Sequence, residues 1–318
     1  MIRCKKCGFP LDARPNTKSK NSICLACINY ENKKNIDFKS RQELLTEIIK
    51  ENNKEEYGAV IAVSGGKDSH MIVKRLIENH SLKNPLLVTV TDEFTHTQAG
   101  LYNINNLVER YGLDHIQFRF SPKDFKENTL KDFENELHPL KWIEEKIYNL
   151  PKKLAKQFGI RLVFFGENSA FEYGESEFLN INHPLSSPEI KVLFMGAFYP
   201  YSITDSLEQA RSIGFKDLDD FNEWPRQGSI DQFTQIDSIG YLVQLWTKYP
   251  KFGFQRVTDI ATRFVREGKL TREQAIKLIE EHDEVCDPTA LKDFCRCIDI
   301  TEQYFWEIVK KFDKFLYK

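Results

Sequence analysis

The sequence predicts an α/β protein in which a parallel sheet of the five-stranded type is flanked by helices, with a four-cysteine zinc ribbon before it and a mainly helical region after it. Two CxxC pairs open the chain, and apolar runs of strand length alternate with helical segments between residues 58 and 166. Such alternation implies parallel strands joined by right-handed crossovers. We expect domain boundaries at 1–32 for the ribbon, 33–200 for the sheet and 201–318 for the C-terminal region.

The ribbon is the first predicted element and a candidate metal site. Cys4 and Cys7 form one CxxC pair, Cys24 and Cys27 form the other, and sixteen residues separate them. Four thiolates at this spacing are typical of a tetrahedral zinc site that is closed to water and therefore structural. In so small a segment the metal supplies about 10 kcal/mol of folding free energy. The ribbon is basic, but only Phe9 interleaves the charges, so a structural role is favoured over nucleic-acid binding and over redox chemistry.

The pattern of apolar residues predicts the elements of the sheet domain. Before it, residues 30–57 predict one amphipathic helix with an apolar stripe of Leu44, Leu45, Ile48 and Ile49. Strands are predicted at 59–63, 85–91, 115–120 and 161–166, and helices at 98–111 and 122–158, the latter interrupted near Pro139. Ligands of parallel sheets bind beyond the carboxyl ends of the strands. Three strand ends should therefore converge on one site, at residues 64–69, 90–93 and 166–168.

The turn after the first strand carries the most specific motif. Ser64-Gly65-Gly66 leads into a helix that begins with Lys67, Asp68 and Ser69, an arrangement that binds phosphate through backbone N–H groups and the helix dipole. Ile61 stands where a Walker loop needs its first glycine, and the three spaced glycines of a dinucleotide loop are absent. The stretch resembles the Ser-Gly-Gly-x-Asp-Ser signature of the PP-loop ATP pyrophosphatases, which split ATP into AMP and pyrophosphate while adenylating a substrate oxygen.

The resemblance implies an ATP site with a catalytic Mg²⁺. Its loop residues would be Ser64, Gly65, Gly66, Lys67, Asp68 and Ser69, although Lys67 occupies the variable position of the signature and is not assigned the role of a Walker lysine. Thr91 would lie beside the adenine, and Gly166 near the ribose and α-phosphate. Lys251, Arg256, Arg263 and Arg266 have a spacing that lets two or three of them face the triphosphate, with ordinary surface charge as the alternative for each.

Later segments narrow the resemblance to one family. They are residues 166–174, 229–241, 251–259, 263–268 and the run from Asp293 to Trp306. Together with the ribbon they resemble the N-acetyl sugar amidotransferases, PP-loop enzymes that make acetamidino sugars for bacterial surface polysaccharides and flagellin glycans. Three carboxylates in these segments lie among apolar neighbours and either orient Mg²⁺, bind sugar hydroxyls or cap helices: Asp231, Asp237 and Asp259.

The family resemblance implies a reaction and its catalytic residues. An acetamido oxygen attacks the α-phosphorus of ATP, ammonia adds to the O-adenylated carbon, and AMP leaves to give an amidine. Asp68 would serve the nucleotide, and Glu167, Asn168 and Glu172 the sugar step, with Glu167 or Glu172 as the base that deprotonates ammonium. The substrate would be an N-acetylated sugar or nucleotide sugar, such as a nonulosonic acid.

The same resemblance implies partners. No glutaminase arrangement is visible, and members of the family work with a separate glutaminase and a barrel-shaped ammonia-channel subunit resembling those of histidine biosynthesis. No run of eighteen apolar residues occurs and the first residues do not open a signal peptide, so we expect a cytoplasmic protein without a membrane partner. A net charge of −2 and a pI near 6.4 argue against a nucleic-acid partner.

Two other functions compete. A PP-loop tRNA-modifying enzyme, either a thiolase or a lysidine-type synthetase, is one, but thiolases need cysteines inside the catalytic domain and none lies between Cys27 and Cys286. A non-catalytic ATP-sensing zinc-ribbon module is the other.

The last part of the chain contains features that we interpret as structural. Thr271-Arg-Glu-Gln274 is a capping box that opens a helix. Cys286, Cys295 and Cys297, near His282, are interpreted as buried thiols rather than as a second metal site, because a Cys-x-Cys pair cannot form the usual knuckle. Aromatic residues at helical spacing are expected in the core: Phe305, Trp306, Phe312, Phe315 and Tyr317.

Overall fold

A computed structural model describes residues 1–13, 19–53 and 56–316 of the chain. The strands are β1 (Ser19–Lys20), β2 (Ile23–Cys24), β3 (Val60–Ala62), β4 (Leu86–Thr91), β5 (His115–Arg119), β6 (Leu162–Phe165) and β7 (Lys191–Phe194). β1 and β2 form an antiparallel hairpin in the ribbon, whereas the other five form a parallel sheet in the order β5-β4-β3-β6-β7. The predicted fold class, a five-stranded parallel sheet with an N-terminal cysteine cluster, is confirmed.

Helices cover both faces of this sheet and make up most of the C-terminal region. Among the described residues they are α1 (Leu25–Asn32), α2 (Phe38–Asn52), α3 (Lys67–Lys74), α4 (Gln98–Tyr111), α5 (Pro122–Glu136), α6 (Lys141–Gln157), α7 (Ser169–Glu172), α8 (Ile203–Arg211), α9 (Tyr241–Trp246), α10 (Lys248–Phe252), α11 (Arg256–Arg266), α12 (Arg272–His282), α13 (Pro288–Ile298) and α14 (Glu302–Phe312). None of the described helices has the length and apolar character that crossing a membrane requires.

The two faces of the sheet are buried in separate apolar layers because alternate residues of a strand point to opposite faces. Ile61, Leu87 and Phe164 pack against α2, α3 and α4, whereas Val60 and Val163 pack against α6. Burial on both faces is the usual situation of a parallel sheet and explains why its strands are continuous apolar runs. The carboxyl ends of β3, β4 and β6 therefore emerge at one edge of a rigid platform.

The four predicted strands and the helix at 98–111 are confirmed, and the region 122–158 divides near Pro139 into α5 and α6 as expected. The prediction of one helix over residues 30–57 is wrong. The chain instead forms α1, a 3₁₀ turn at Lys33–Asn35 and then α2. The break occurs because the carboxylate of Asp37 accepts a hydrogen bond from the Ser40 N–H at 3.0 Å and so caps α2. Leu44, assigned to the apolar stripe, is exposed.

The C-terminal region packs onto the sheet domain through a third apolar cluster. This cluster extends from Phe94, just after β4, through Phe133 of α5 to Phe294 and Phe305 of α13 and α14. The capping box at Thr271 is present, with Thr271 and Gln274 each binding the other's backbone N–H. Of the predicted core aromatics, Phe305 is buried in this cluster, and Trp306 and Phe312 are partly buried against it. Phe315 is half-buried outside the cluster, and Tyr317 lies outside the described residues.

Candidate active site

The turn between β3 and α3 is shaped to expose its backbone. The Ser64 N–H donates to the Ser69 hydroxyl at 2.9 Å, and the Gly66 N–H donates to the Ser64 hydroxyl at 3.4 Å. Gly65 has a φ of +85°, and a Cβ there would lie 3.2 Å from the backbone nitrogen of Ile104. Glycine is required at this position both by conformation and by space. The turn therefore has the shape expected of the predicted phosphate-binding loop.

Asp68 leaves one carboxylate oxygen free at this turn. Its Oδ2 lies 2.6 Å from the ammonium of Lys67, whose side chain is only 4% exposed. Its Oδ1 is buried and has no hydrogen-bond partner. Lys67 thus fixes the carboxylate of its neighbour, and the second oxygen of Asp68 remains without a partner.

A group of carboxylates gathers beside Asp68 at the carboxyl end of β6. Gly166 ends the strand so close to Asp68 that a Cβ on the glycine would lie 3.6 Å from the Asp68 Cβ. Burial, with the nearby charges of Glu172 and Asp68, raises the pKa of Glu167 to about 7, although Tyr148 partly opposes the shift. Such a carboxyl group exchanges a proton near neutral pH, as a general base must.

Glu172 and Asn168 complete the predicted catalytic set. Glu172 pairs with Arg263 at 2.7 Å, and the Arg263 side chain is 4% exposed. Asn168 is buried and its amide donates to the Gly166 carbonyl at 2.8 Å, so it fixes the end of β6. The structure thus brings Asp68, Glu167 and Glu172 together, and Asn168 stabilises the turn after β6 beside them.

Unpartnered polar atoms are concentrated in this cluster. Eleven buried side-chain atoms of the described residues have no hydrogen-bond partner, and seven of them lie here: Asp68 Oδ1, Glu167 Oε2, Tyr201 Oη, Arg256 Nε, Asp259 Oδ1 and the Nε and Nη2 atoms of Arg263. Each such atom costs about 1–3 kcal/mol when it remains unpaired. Because the set includes both acceptors and guanidinium donors, it fits a ligand that carries an anion together with a cation.

Asp259 is a buried carboxylate on the cationic side of the cluster. Its Oδ2 accepts a hydrogen bond from the Lys248 ammonium at 2.6 Å. Burial alone would favour the neutral acid, but the charges of Lys248, Arg263 and Arg256 together lower the pKa of Asp259. This carboxylate stays charged and holds the cationic side of the cluster in place.

A cavity of about 550 Å³ opens on the other side of the loop, above the ends of β3 and β4. Its polar lining includes Ser64, Thr91, Asp92, His96 and Asp237. Burial and the nearby Asp92 raise the pKa of Asp237 to about 7, while Ser64 partly offsets this. Burial also raises the pKa of Asp92, whose carboxylate accepts the Ser238 hydroxyl at 2.7 Å. The cavity is large enough for a nucleoside and shares Ser64 with the phosphate-binding loop.

The C-terminal region supplies one wall of this cavity. The Thr97 N–H donates to the Asp237 carbonyl at 3.1 Å, and the Ile239 N–H donates to the Thr95 carbonyl at 2.9 Å. Gly100 permits the contact, since a Cβ there would lie 2.8 Å from the Asp237 Cα. Asp92 belongs to the strand end at 90–93 that the sequence placed at the site, and it lines the cavity, although the sequence assigned it no role of its own.

Of the other predicted residues, Lys251 and Asp231 lie outside the cavity and Thr91 lines it. The Lys251 ammonium donates to the Glu136 and Leu137 carbonyls at 3.2 and 2.6 Å, so it binds the end of α5, and it does not line the cavity at Ser64. Asp231 accepts hydrogen bonds from the backbone of Phe233 and Thr234 and organises a loop. Thr91 lines the cavity, and its hydroxyl donates to the Phe118 carbonyl at 3.2 Å.

The four ribbon cysteines form a cluster that could hold a metal ion. All four sulfur atoms are buried and lie within 4.8 Å of one another, with Cys4–Cys27 at 4.0 Å and Cys7–Cys24 at 3.7 Å. Thiolates around one tetrahedral ion at 2.3 Å are separated by about 3.8 Å. No other such group occurs in residues 1–13, 19–53 and 56–316, and burial raises the pKa of the Cys295 thiol to about 12.

Comparison with known proteins gives a family match to the C-terminal region and a relative that covers most of the chain. Residues 223–318 match the family described as LPS biosynthesis protein WbpG-like, C-terminal domain. The matched segment contains Asp237, Arg256 and Arg263, which contribute to the cavity wall and to the buried cluster. An uncharacterised protein of Methanocaldococcus jannaschii is 26% identical over 266 residues, which cover 81% of this chain and 86% of that protein.

Solved structures give distant likenesses. NMN synthetase from Francisella tularensis has a TM-score of 0.41 at 13% identity, covering 77% of this chain and 92% of that one. NH3-dependent NAD synthetase from Campylobacter jejuni scores 0.39 at 14% identity, covering 57% and 75%. The U34-tRNA thiolase NcsA from Methanococcus maripaludis scores 0.39 at 13% identity, covering 93% and 95%. Support for the PP-loop superfamily comes from the sheet order and the Ser64–Ser69 loop.

Proposed function

We propose that this protein is an ATP-dependent amidotransferase that converts the acetamido group of an N-acetyl sugar into an acetamidino group during biosynthesis of a bacterial surface glycan. The observation that carries the proposal is the cluster of unpartnered buried atoms around Asp68, Glu167 and Arg263, directly beside the phosphate-binding loop. The match of residues 223–318 to an LPS biosynthesis family supports the sugar as substrate.

The reaction needs activation because nitrogen resonance makes an amide carbonyl a poor electrophile. The amide oxygen attacks the α-phosphorus, and the bond from that phosphorus to the bridging oxygen breaks to release pyrophosphate. Ammonia then adds to the imidate carbon, the bond from that carbon to the adenylate oxygen breaks, and AMP leaves with the original amide oxygen. A base accepts the proton that nitrogen loses, and Glu167, whose pKa is about 7, suits that task.

The buried cluster matches the charges that this chemistry develops. Asp68 offers a free oxygen to Mg²⁺, which would neutralise charge on the departing pyrophosphate. Arg256 and Arg263 offer free guanidinium donors to phosphate oxygens. The cavity at Ser64 and Thr91 would take the nucleoside.

The remaining components of the proposal follow from the sequence resemblance. The four ribbon thiolates would hold a structural Zn²⁺, since their separations suit one closed tetrahedral ion. Ammonia would come from a separate glutaminase through a barrel-shaped channel subunit, in the cytoplasm. The sugar, free or nucleotide-linked, would belong to an LPS or flagellin glycan, with nonulosonic acids as the first candidates.

The test is a nucleotide-product assay. Purified protein is incubated with ATP, Mg²⁺ and ammonium, with a panel of N-acetylated sugars in one arm and unmodified tRNA in the other. AMP and pyrophosphate formed only with a sugar, together with replacement of one amide oxygen by NH in the sugar's mass, are the expected result. AMP formed only with tRNA would replace the proposal with tRNA modification, and ADP in either arm would refute the PP-loop assignment.

Replacing the loop aspartate separates an enzyme from a sensor. We predict that Asp68→Asn abolishes pyrophosphate release, because it removes the charge that faces the ligand, while ATP binding is weakened but detectable by calorimetry. Asp205→Asn is the matched control, since Asp205 pairs with Arg75 of the region that follows α3 at 2.7 Å and does not belong to the cluster. A chain that only senses ATP would show no turnover in any of the three proteins.

A further inference from the structure

Helix α7, which ends in Glu172, is a single turn held in place by the ribbon. Its first residue follows Asn168 with no side-chain cap. From the ribbon side, the Asn29 amide donates to the Ala170 carbonyl at 2.8 Å. Just after the helix, Gly174 has a φ of +90° and lies so close to α1 that a Cβ would be 2.5 Å from the Cβ of Leu25. A one-turn helix has little stability of its own, so its position depends on these contacts together with the burial of Phe171 against Ile203 and Ile260.

Arg266 connects the thiolate cluster to the same turn. Its Nη1 lies 3.8 Å from the Cys7 sulfur, and its Nη2 donates to the Glu172 carbonyl at 3.3 Å. Three residues earlier on α11, Arg263 pairs with the Glu172 carboxylate at 2.7 Å. Backbone and side chain of Glu172 are therefore fixed by two arginines on one face of α11, and one of these also contacts a ribbon thiolate.

We propose that the metal-loaded ribbon positions Glu172 in the active site, with Arg266 and Asn29 as the positioning residues. The role of Glu172 in turnover rests on the proposed function, whereas its placement by the ribbon does not. A thiolate fixed by a metal keeps its charge and its site, so the guanidinium of Arg266 is held between two stationary acceptors. Groups that hydrogen-bond to metal ligands orient their surroundings in this way.

The first test compares two arginines that both anchor the ribbon. Arg266→Met removes the link to Glu172, while Arg272→Met removes only a hydrogen bond from Arg272 Nε to the Cys4 carbonyl at 3.1 Å. We expect Arg266→Met to lower kcat about ten-fold at unchanged KM for ATP, and Arg272→Met to leave kcat unchanged. Both proteins should retain stoichiometric metal. Equal kcat values in the two variants, or loss of metal from Arg266→Met alone, would overturn the proposal.

The second test does not depend on turnover. Amide hydrogen exchange is followed in the full chain at the N–H groups of Glu172 and Tyr173, which donate to Asn168 and Ser169 carbonyls at 3.1 and 2.8 Å. Extraction of the metal, Arg266→Met and Asn29→Ala should each accelerate exchange there, while Arg272→Met should not. In cobalt-loaded protein, Arg266→Met should also shift the thiolate-to-metal absorption band. Unchanged exchange in all the variants would refute the positioning role.

The two tests also distinguish this proposal from the proposed function. If no sugar is amidinated but exchange rises as stated, the reaction assigned to the protein is wrong and the positioning by the ribbon remains. If sugars are amidinated and exchange is unchanged, only the positioning fails. Should Arg266→Met not fold, Asn29→Ala decides the outcome, because the Asn29 side chain is only partly buried and its loss leaves the thiolate contact intact.

Discussion

Glu167 is a carboxyl group whose surroundings make proton uptake easy at neutral pH. Burial, assisted by Glu172 and Asp68, raises its pKa to about 7 and Tyr148 opposes the shift in part. If it accepts the proton from the attacking nitrogen, turnover must rise with pH through about 7. We predict that Glu167→Gln lowers kcat and flattens this rise, measured as pyrophosphate release between pH 5.5 and 8.5.

Asp237 provides the control for that profile, because its pKa is also raised to about 7 by burial and by the nearby Asp92. Asp237→Asn should change the KM for ATP and leave the pH dependence of kcat in place, since Asp237 lies in the cavity wall rather than in the carboxylate cluster. A profile that flattens in Asp237→Asn and not in Glu167→Gln would contradict the assignment of the base.

The same raised pKa has a consequence for stability. A carboxyl group whose folded pKa lies above its unfolded value stabilises the fold below the unfolded pKa of about 4.5, and this contribution is lost as pH rises through about 7. Glu167→Gln keeps a neutral side chain at every pH. We therefore predict that, in nucleotide-free protein, the variant gains free energy of unfolding relative to wild type between pH 5 and 8, by up to roughly 3 kcal/mol at 1.36 kcal/mol per pKa unit. Urea denaturation of both proteins at pH 5 and at pH 8 measures the difference in free energy of unfolding. A difference that becomes smaller from pH 5 to pH 8 would contradict the prediction.

Arg263 and Glu172 allow a test of the buried ion pair. Removing one partner leaves a buried charge, so Arg263→Met should destabilise the fold by about 3–5 kcal/mol, and adding Glu172→Gln should recover part of that loss. Lys156→Met is the matched control, because its pair with Glu189 is 68% and 65% exposed and should contribute nothing measurable. Additive single-variant losses in urea denaturation would mean that the two side chains do not interact.

The residues of the buried cluster that lie in or beside a sequence motif could be found from the sequence, whereas its two tyrosines could not. Asp68 belongs to the loop signature, and Glu167 and Glu172 follow a glycine at a strand end, so local pattern identified them. Tyr201 and Tyr148 reach the cluster only through the packing of distant segments, and a buried tyrosine has no pattern that distinguishes it from core.

At the level of elements, the strands were predictable where apolar runs are long and bounded by turn residues. β7 (Lys191–Phe194) was not assigned, although it is as long as β6 (Leu162–Phe165), which was. The helix predicted over residues 30–57 was too long, because its apolar stripe at 44–49 lies wholly after the Asp37 cap and does not define where the helix begins.

The contact between α1 and the turn after α7 can be tested at Gly174. Gly174→Ala adds a Cβ that meets Leu25 at 2.5 Å and also imposes a φ of +90° on an alanine. Gly112→Ala imposes a φ of +61° with nothing within 4 Å, so it measures the conformational cost alone, about 1 kcal/mol. We predict that Gly174→Ala costs more stability than this and also lowers kcat, whereas Gly112→Ala leaves kcat unchanged. Equal losses in thermal unfolding would show that the ribbon contact is unimportant.

At the scale of the whole molecule, the cavity at Ser64 is built by two distant parts of the chain. The sheet contributes the ends of β3 and β4, and the segment around Asp237 arrives from the C-terminal region. The sequence indicated that Asp237 lies among apolar residues but not which element it faces. The bridge between His96 and Ser238 pairs segments that are far apart in the chain, and no local pattern encodes such a pairing.

Asp293 holds the two segments of this cavity wall together. Its carboxylate accepts hydrogen bonds from the Thr95 N–H at 2.8 Å, the Thr95 hydroxyl at 2.6 Å and the Gly240 N–H at 3.0 Å. One side chain of α13 thereby binds the loop after β4 and the segment that carries Asp237. Hydrogen bonds to a charged acceptor contribute about 1.5–3 kcal/mol each, so their loss should release the cavity wall.

We predict that Asp293→Ala raises the KM for ATP about ten-fold, which corresponds to roughly 1.4 kcal/mol, and leaves kcat at saturating ATP nearly unchanged, because the carboxylate cluster at β6 is not touched. Asp299→Asn is the control just after the C-terminal end of the same helix, where the Asp299 side chain is 80% exposed and pairs only with Lys126 among the contacts described. Asparagine is used because it tolerates the φ of +58° at this position. Steady-state kinetics and calorimetric titration of ATP measure the effect. A fall in kcat at unchanged KM would mean that the C-terminal region acts on the chemical step rather than on nucleotide binding, and the division of the site into a nucleoside cavity and a separate carboxylate cluster would be wrong.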